Sequence, residues 1–164
     1  MIKIVTIVGA RPQIIKAAAL SRAIKNKFST QVKEVIVHTG QHYEDNMSTV
    51  FFDELQIPAP DHSLNTTNMS AVKQMAAMLT GIEEVLLKEK PHAVVVYGDT
   101  NSTLAATITC SKLNICLVHI EAGLRSFNKN MPEETNRIAC DNASSFLFTP
   151  TKAGLDNLTR EGII

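Results

Sequence analysis

Residues 119–137, HIEAGLRSFNKNMPEETNR, place Glu121, Glu133 and Glu134 with Arg125 and Arg137 directly behind an apolar run. Carboxylates there can exchange protons, and cations beside them can hold an anion. Glu121 ends the run ICLVHI, so its side chain belongs at the rim of a strand. A partly desolvated carboxyl at such a rim can trade protons near neutrality. Pro132 suits a first helical position, and Glu133 and Glu134 then fall in the first turn, where the helix dipole favours negative charge. Glu133 and Arg137 are four apart in the favourable acid-before-base order. A surface bridge of at most ~1 kcal/mol explains that pair equally well. His119, inside the run, reads as a hydrogen-bonded core histidine.

Two other segments carry similar residues. GARPQIIK (9–16) follows an apolar run and opens a helix: Gly9 permits a tight turn, Pro12 starts the helix, and exposed amides there attract phosphate. Arg11 and Lys16 would add charge to the same anion. An ordinary strand-to-helix turn with two solvated cations fits as well, and the segment is not a GxGxxG fingerprint. YGDTNST (97–103) puts Asp99 at a strand tip. Asp99, Thr100, Asn101 and Ser102 are all capping residue types, more than one helix needs. In TGQHYEDNM (39–47), Gln41 and His42 end another strand and are placed to line a cleft. His38 and His42 have no third partner at ligand spacing, which disfavours zinc.

These residues need a scaffold that gathers strand ends. Unbroken β-branched runs occur at 2–9, 34–40, 93–99, 115–121 and 145–150, the pattern of strands covered on both faces. A short strand is expected near 61–65. Helical patterns lie at 12–27, about 44–54, about 69–89, 101–112, 133–142 and 151–161. The alternation predicts an α/β fold, a doubly wound, mostly parallel, Rossmann-like sheet. Ligands of such sheets bind beyond the carboxyl ends of the strands, where all the segments above fall.

Composition narrows the partners. Sixteen basic and sixteen acidic residues in 164 cancel, so bulk charge gives no hold on nucleic acid or a membrane surface. Cys110, Cys116 and Cys140 lack metal spacing, and Cys110 and Cys116, in apolar stretches, read as reduced core thiols of a cytoplasmic protein. No apolar run is long enough for a membrane span. The length fits one domain. The end at REGII, where another strand would begin, predicts a fragment of a longer chain.

Taken in order, GARPQIIK, HTGQHYEDNMS, VYGDTNSTLAA, HIEAGLRSFN and MPEETNR closely resemble the non-hydrolysing UDP-N-acetylglucosamine 2-epimerases over essentially the whole chain. The resemblance implies two similar α/β domains in the GT-B arrangement. Residues 1–164 would be the N-terminal domain, and a C-terminal nucleotide-binding domain would lie outside this chain. It implies substrate contacts from Gly9, Arg11, Lys16, Gln41 and His42. It assigns Asp99, Glu121 and Glu133 to catalysis, with Arg137 as the charge partner of Glu133. Similar enzymes expel UDP, with loss of the second carbon's proton, to leave a 2-acetamidoglucal, and add UDP back after protonation of that carbon on the other face. That route avoids simple deprotonation of a carbon with no adjacent carbonyl, and it needs an acid, a base and cations for the departing diphosphate. No metal or redox cofactor is implied. The implied partner is a UDP-sugar, and the full-length enzyme would be a homodimer.

Two departures bear on this expectation. Many members read GTRPE where this chain has GARPQ, and Ala17-Ala18-Ala19 replaces a Pro-containing stretch; the GARPQ form is similar to relatives acting on sugars such as UDP-2,3-diacetamido-glucuronic acid. Members with a second, activating substrate site use Gln-His and a downstream arginine, and LNTTNMSAV (64–72) has no arginine. A nucleotide-sugar binding module and a GT-B glycosyltransferase domain are the competing readings. The acidic trio favours the epimerase over the transferase.

Overall fold

The structure, a computed structural model, describes residues 1–41 and 58–164. The helix expected at about 44–54 and His42 lie outside the described residues. The chain order is β1 (Ile2–Val8), α1 (Arg11–Ala23), β2 (Val32–His38), β3 (His62–Ser63), α2 (Ala71–Glu89), β4 (Ala93–Tyr97), α3 (Asn101–Leu113), β5 (Cys116–Ile120), α4 (Pro132–Ala143), β6 (Phe146–Phe148) and α5 (Lys152–Arg160). Among the described residues the strands form one sheet in the order β3-β2-β1-β4-β5-β6, every neighbouring pair parallel. This is the doubly wound order, with its reversal between β1 and β4. The short strand expected near 61–65 is β3.

Right-handed crossovers decide where the helices go. The chain steps one way from β1 to β2 and the other way from β4 to β5, so α1 and α3 cover opposite faces. Side-chain alternation along β4 shows both coverings. Val94 and Val96 pack with Met78, Ile82 and Leu86 of α2 and with Ala105, Ala106 and Cys110 of α3. Val95 and Tyr97 pack with Ile14, Ala17 and Ala18 of α1. The small residues of α1 and α3 let both helix backbones approach the sheet closely, which gives Ala17 and Ala18 a packing role. Cys110 belongs to this core, and burial pushes its thiol up to about 12, the condition of an inert structural cysteine. All three cysteines are free.

Helix α1 begins with Pro12 in its first turn and continues past Ala23 as wider turns over Ile24–Phe28. Its entry is fixed by Gln13, which is 2% exposed. The Gln13 Oε1 accepts from the amides of Gly9 (2.8 Å) and Ala10 (3.2 Å). Its Nε2 donates to the Tyr97 carbonyl (2.7 Å) and the Thr103 hydroxyl (3.1 Å). One side chain therefore joins the ends of β1 and β4 to α3. A carboxylate at this position has no hydrogen to donate to Tyr97. Q13L should cost about 3 kcal/mol, because the buried amides of Gly9 and Ala10 lose their acceptor. Urea unfolding checks this, and an unchanged midpoint would remove the latch.

Candidate active site

The rim beyond β4 and β5 gathers Lys16, Asp99, Glu121 and Arg137 from four separate segments. Tyr97 and Ile120 are register partners, so the residues following them leave the sheet side by side. Thr100 caps α3 by accepting from the Thr103 amide, which leaves the Asp99 carboxylate free of cap duty. Arg137 of α4 reaches it instead, Nη2 to Oδ2 at 2.6 Å. The Arg137 Nη1 donates to the main-chain carbonyl of Glu121. The neighbouring Asn136 donates to the main-chain carbonyl of Asp99 at 2.9 Å. Two consecutive side chains of α4 thus clamp both strand exits.

Glu121 has φ +77°, a left-handed conformation that costs a non-glycine residue about 1–2 kcal/mol. Its amide and that of Ala122 both donate to the Phe148 carbonyl at 3.0 Å, and Arg137 holds its own carbonyl. These bonds sustain the strained turn that carries the Glu121 carboxylate to Lys16, with which it is hydrogen-bonded and ion-paired. Gly98 makes room for this. At φ +64°, a Cβ there would lie 3.3 Å from the Glu121 Oε2 and 3.9 Å from the Lys16 Nζ. Lys16, Glu121, Ile120, Phe148, Thr149 and Pro150 line a cleft of about 390 Å³. A larger cavity of about 510 Å³ is lined only by apolar side chains, from Ile2 to Phe148, and offers nothing that could move a proton.

Several expected roles change. Arg137 does not pair with Glu133. It is 6% exposed and turned inward onto Asp99, while Glu133 is exposed in the first turn of α4. Glu134 is the buried member of the pair. It accepts from the Ser126 amide (2.8 Å) and hydroxyl (2.9 Å) and from the Phe127 amide (3.0 Å). Burial alone would raise the Glu134 carboxyl, yet these donors hold it below the usual carboxylate range. At the helix entry expected to attract an anion, the amides of Gly9 and Ala10 are taken by Gln13, and a Cβ on Gly9 would strike the Ser102 and Thr39 hydroxyls. Gly9 therefore serves close packing. Arg11 is exposed at the first position of α1. Gln41 reaches the start of α3, its Oε1 accepting from the Ser102 amide (3.0 Å) and hydroxyl (2.8 Å). Among the described residues no cluster of three or more His, Cys, Asp or Glu side chains could hold a metal.

Beneath the rim lies a buried ionic chain that was not expected. His119 is fully buried, Nδ1 at 2.7 Å from Asp141 Oδ1 and Nε2 at 2.7 Å from the Gly98 carbonyl. Both ring nitrogens face acceptors, so only the imidazolium satisfies both. Burial pushes the imidazole down, but the Asp141 hydrogen bond and the adjacent Cys140 prevail and raise it to about 9. Arg125 continues the chain, bonding Asp141 at 2.6 Å and Glu161 at 2.6 Å. A pKa raised on folding stabilises fully below about 6.5, and the gain is lost as pH rises through about 9. Wild-type protein should therefore lose stability across that window in urea titrations, and H119Q should lose much less; parallel profiles would show His119 to be neutral.

This is a doubly wound α/β domain whose ionic residues converge at the carboxyl ends of its strands, the place where such folds take their ligands. The family model for UDP-N-acetylglucosamine 2-epimerase matches residues 23–164, and the chain belongs to that family. It is 56% identical over 161 residues to a UDP-N-acetylglucosamine 2-epimerase homolog of Methanococcus maripaludis, covering 98% of this chain and 44% of the relative. It is 54% identical over 160 residues to the UDP-2,3-diacetamido-2,3-dideoxy-D-glucuronate 2-epimerase of Pseudomonas aeruginosa, covering 98% and 45%. The crystal structure of the Methanocaldococcus jannaschii UDP-GlcNAc 2-epimerase in complex with UDP-GlcNAc and UDP superposes with a TM-score of 0.93 at 49% identity, over 99% of this chain and 44% of that one. The chain thus spans under half the length of these relatives.

Proposed function

We propose that this chain forms the Rossmann-like, N-terminal domain of a UDP-sugar 2-epimerase that inverts the second carbon by eliminating and re-adding UDP. The observation that carries the reading is the convergence of Lys16, Glu121, Asp99 and Arg137 at one rim, in a chain whose family is named for UDP-N-acetylglucosamine 2-epimerase. Asp99, Glu121 and Glu133 share the acid and base roles. Lys16 and Arg11 receive the diphosphate as it departs, and Gln41 and His42 border the substrate. Lys16 already pairs with a carboxylate, so an arriving diphosphate offers it a competing anion and leaves Glu121 open to take a proton. A second, nucleotide-binding domain completes the enzyme, in keeping with relatives more than twice as long. The enzyme works as a homodimer in the cytoplasm, where free cysteines such as Cys110 persist.

The substrate is a UDP-2-acetamido sugar, either UDP-N-acetylglucosamine or UDP-2,3-diacetamido-glucuronic acid, since relatives above 50% identity carry both names. Incubating the intact protein with each sugar in deuterated water tests the reading. The expected result is deuterium at the second carbon of one sugar, with the epimer accumulating. Absence of exchange with both sugars would overturn it. E133Q belongs in the same assay, because its exposed position makes it the carboxylate whose participation depends most on the bound state.

A further inference from the structure

Glu121 and Asp99 are presented by backbone, and that backbone is fastened from below. Asp141, on the third turn of α4, is fully buried and accepts from three donors: His119 at 2.7 Å, Arg125 at 2.6 Å and the Gly123 amide at 3.1 Å. His119 is two residues before Glu121, and Gly123 two after it. Both ends of the strained turn at Glu121 are therefore tied to one carboxylate. The other face of His119 donates to the Gly98 carbonyl, the peptide immediately before Asp99. Through a single imidazolium, Asp141 reaches both strand exits.

We propose that Asp141 is a positioning residue for Glu121 and Asp99, acting through His119 and Gly123 rather than by contact with substrate. This rests on the epimerase reading for its catalytic consequence. Packing alone would not require a charged hub: an apolar side chain at position 141 would fill the same space without fixing either exit. A carboxylate that bonds both a ring nitrogen and a main-chain amide sets the direction of the turn between them. Displacements on the order of 1 Å at reacting groups cost about 100-fold in rate, so loosening this tie should appear in turnover more than in binding.

D141N keeps shape and one acceptor oxygen but removes the charge that holds the imidazolium. In the intact protein its kcat should fall about 100-fold with KM changed by less than about threefold, the pattern of an interaction that matters in the transition state. E161Q, which alters only the outer partner of Arg125, should keep kcat within about twofold, as expected for a partly exposed pair. In parallel, NMR titration of the Glu121 and Asp99 carboxyls should differ between D141N and wild type. A D141N enzyme with kcat within about twofold of wild type, or with unaltered carboxyl titrations, would overturn the proposal. If D141N does not fold, H119Q, which cuts one arm only, is read in the same two ways. Wild-type protein inactive on every UDP-2-acetamido sugar removes the epimerase reading instead, and the titrations still decide whether Asp141 positions the pair.

Discussion

R137M should unfold about 6–12 °C below wild type and lose at least about 100-fold in turnover. The Arg137 side chain is 8% exposed, and its two donors go to the Asp99 carboxylate and the Glu121 carbonyl. Methionine replaces most of the aliphatic stem and none of the donors. Asp99 is 32% exposed and can turn back to water, so its loss of a partner is partly repaid. The Glu121 carbonyl is main chain and cannot swing away as a side chain does, and it belongs to a residue already strained at φ +77°. Charge-assisted bonds of this kind contribute about 1.5–3 kcal/mol each, less where one partner is wet. A total of about 3 kcal/mol follows, and a chain of this length loses about 2–4 °C per kcal/mol. Scanning calorimetry reads the first effect and steady-state kinetics the second. R137K should fall between, because an ammonium cannot serve two acceptors in a fixed fork. An R137M melting point within about 2 °C of wild type would show that the clamp is dispensable.

The order of elements was legible because continuous β-branched runs and three-and-four spacing report burial directly, and burial on both faces requires the parallel sheet that is observed. The rim was legible for a related reason. Asp99 and Glu121 directly follow runs that pair in register, so the topology brings them together whatever their side chains do. Partner choice was not legible. Spacing of four put Glu133 opposite Arg137, but the inward turn of α4 gives Arg137 an acceptor in the turn that follows β4. The helix start allowed both Glu133 and Glu134 a dipole role, and only the path of residues 124–131 decides which is buried. A carboxylate at the third helical position, able to reach back to preceding amides, was the available signal for Glu134. Asp141 gave none, since nothing in NRIACDNA marks an acid that meets a histidine 22 residues earlier. Gln13 was visible only as a departure from GTRPE, and its meaning depends on the distance to Tyr97.

E121Q separates chemistry from stability more sharply than any other change at the rim. Its kcat should fall about 100- to 10,000-fold, the range that a positioned acid or base contributes. Its unfolding free energy should change by less than about 1 kcal/mol, because the Lys16–Glu121 pair is 39% and 22% exposed at its two ends and solvent screens it. Glutamine keeps the length, the left-handed backbone and an oxygen for Lys16, so the turn held by Phe148 and Arg137 survives. What it loses is the ability to take up and release a proton. Deuterium exchange at the second carbon should fall with turnover if Glu121 handles that proton. If exchange persists while net epimerisation stops, UDP is still eliminated and re-added with the proton returned only to its original face; Glu121 then serves the opposite face, and Asp99, held by the same Arg137, serves the original one. Near-normal turnover in E121Q would leave the Lys16 contact as a resting-state ion pair and remove this carboxylate from the reaction.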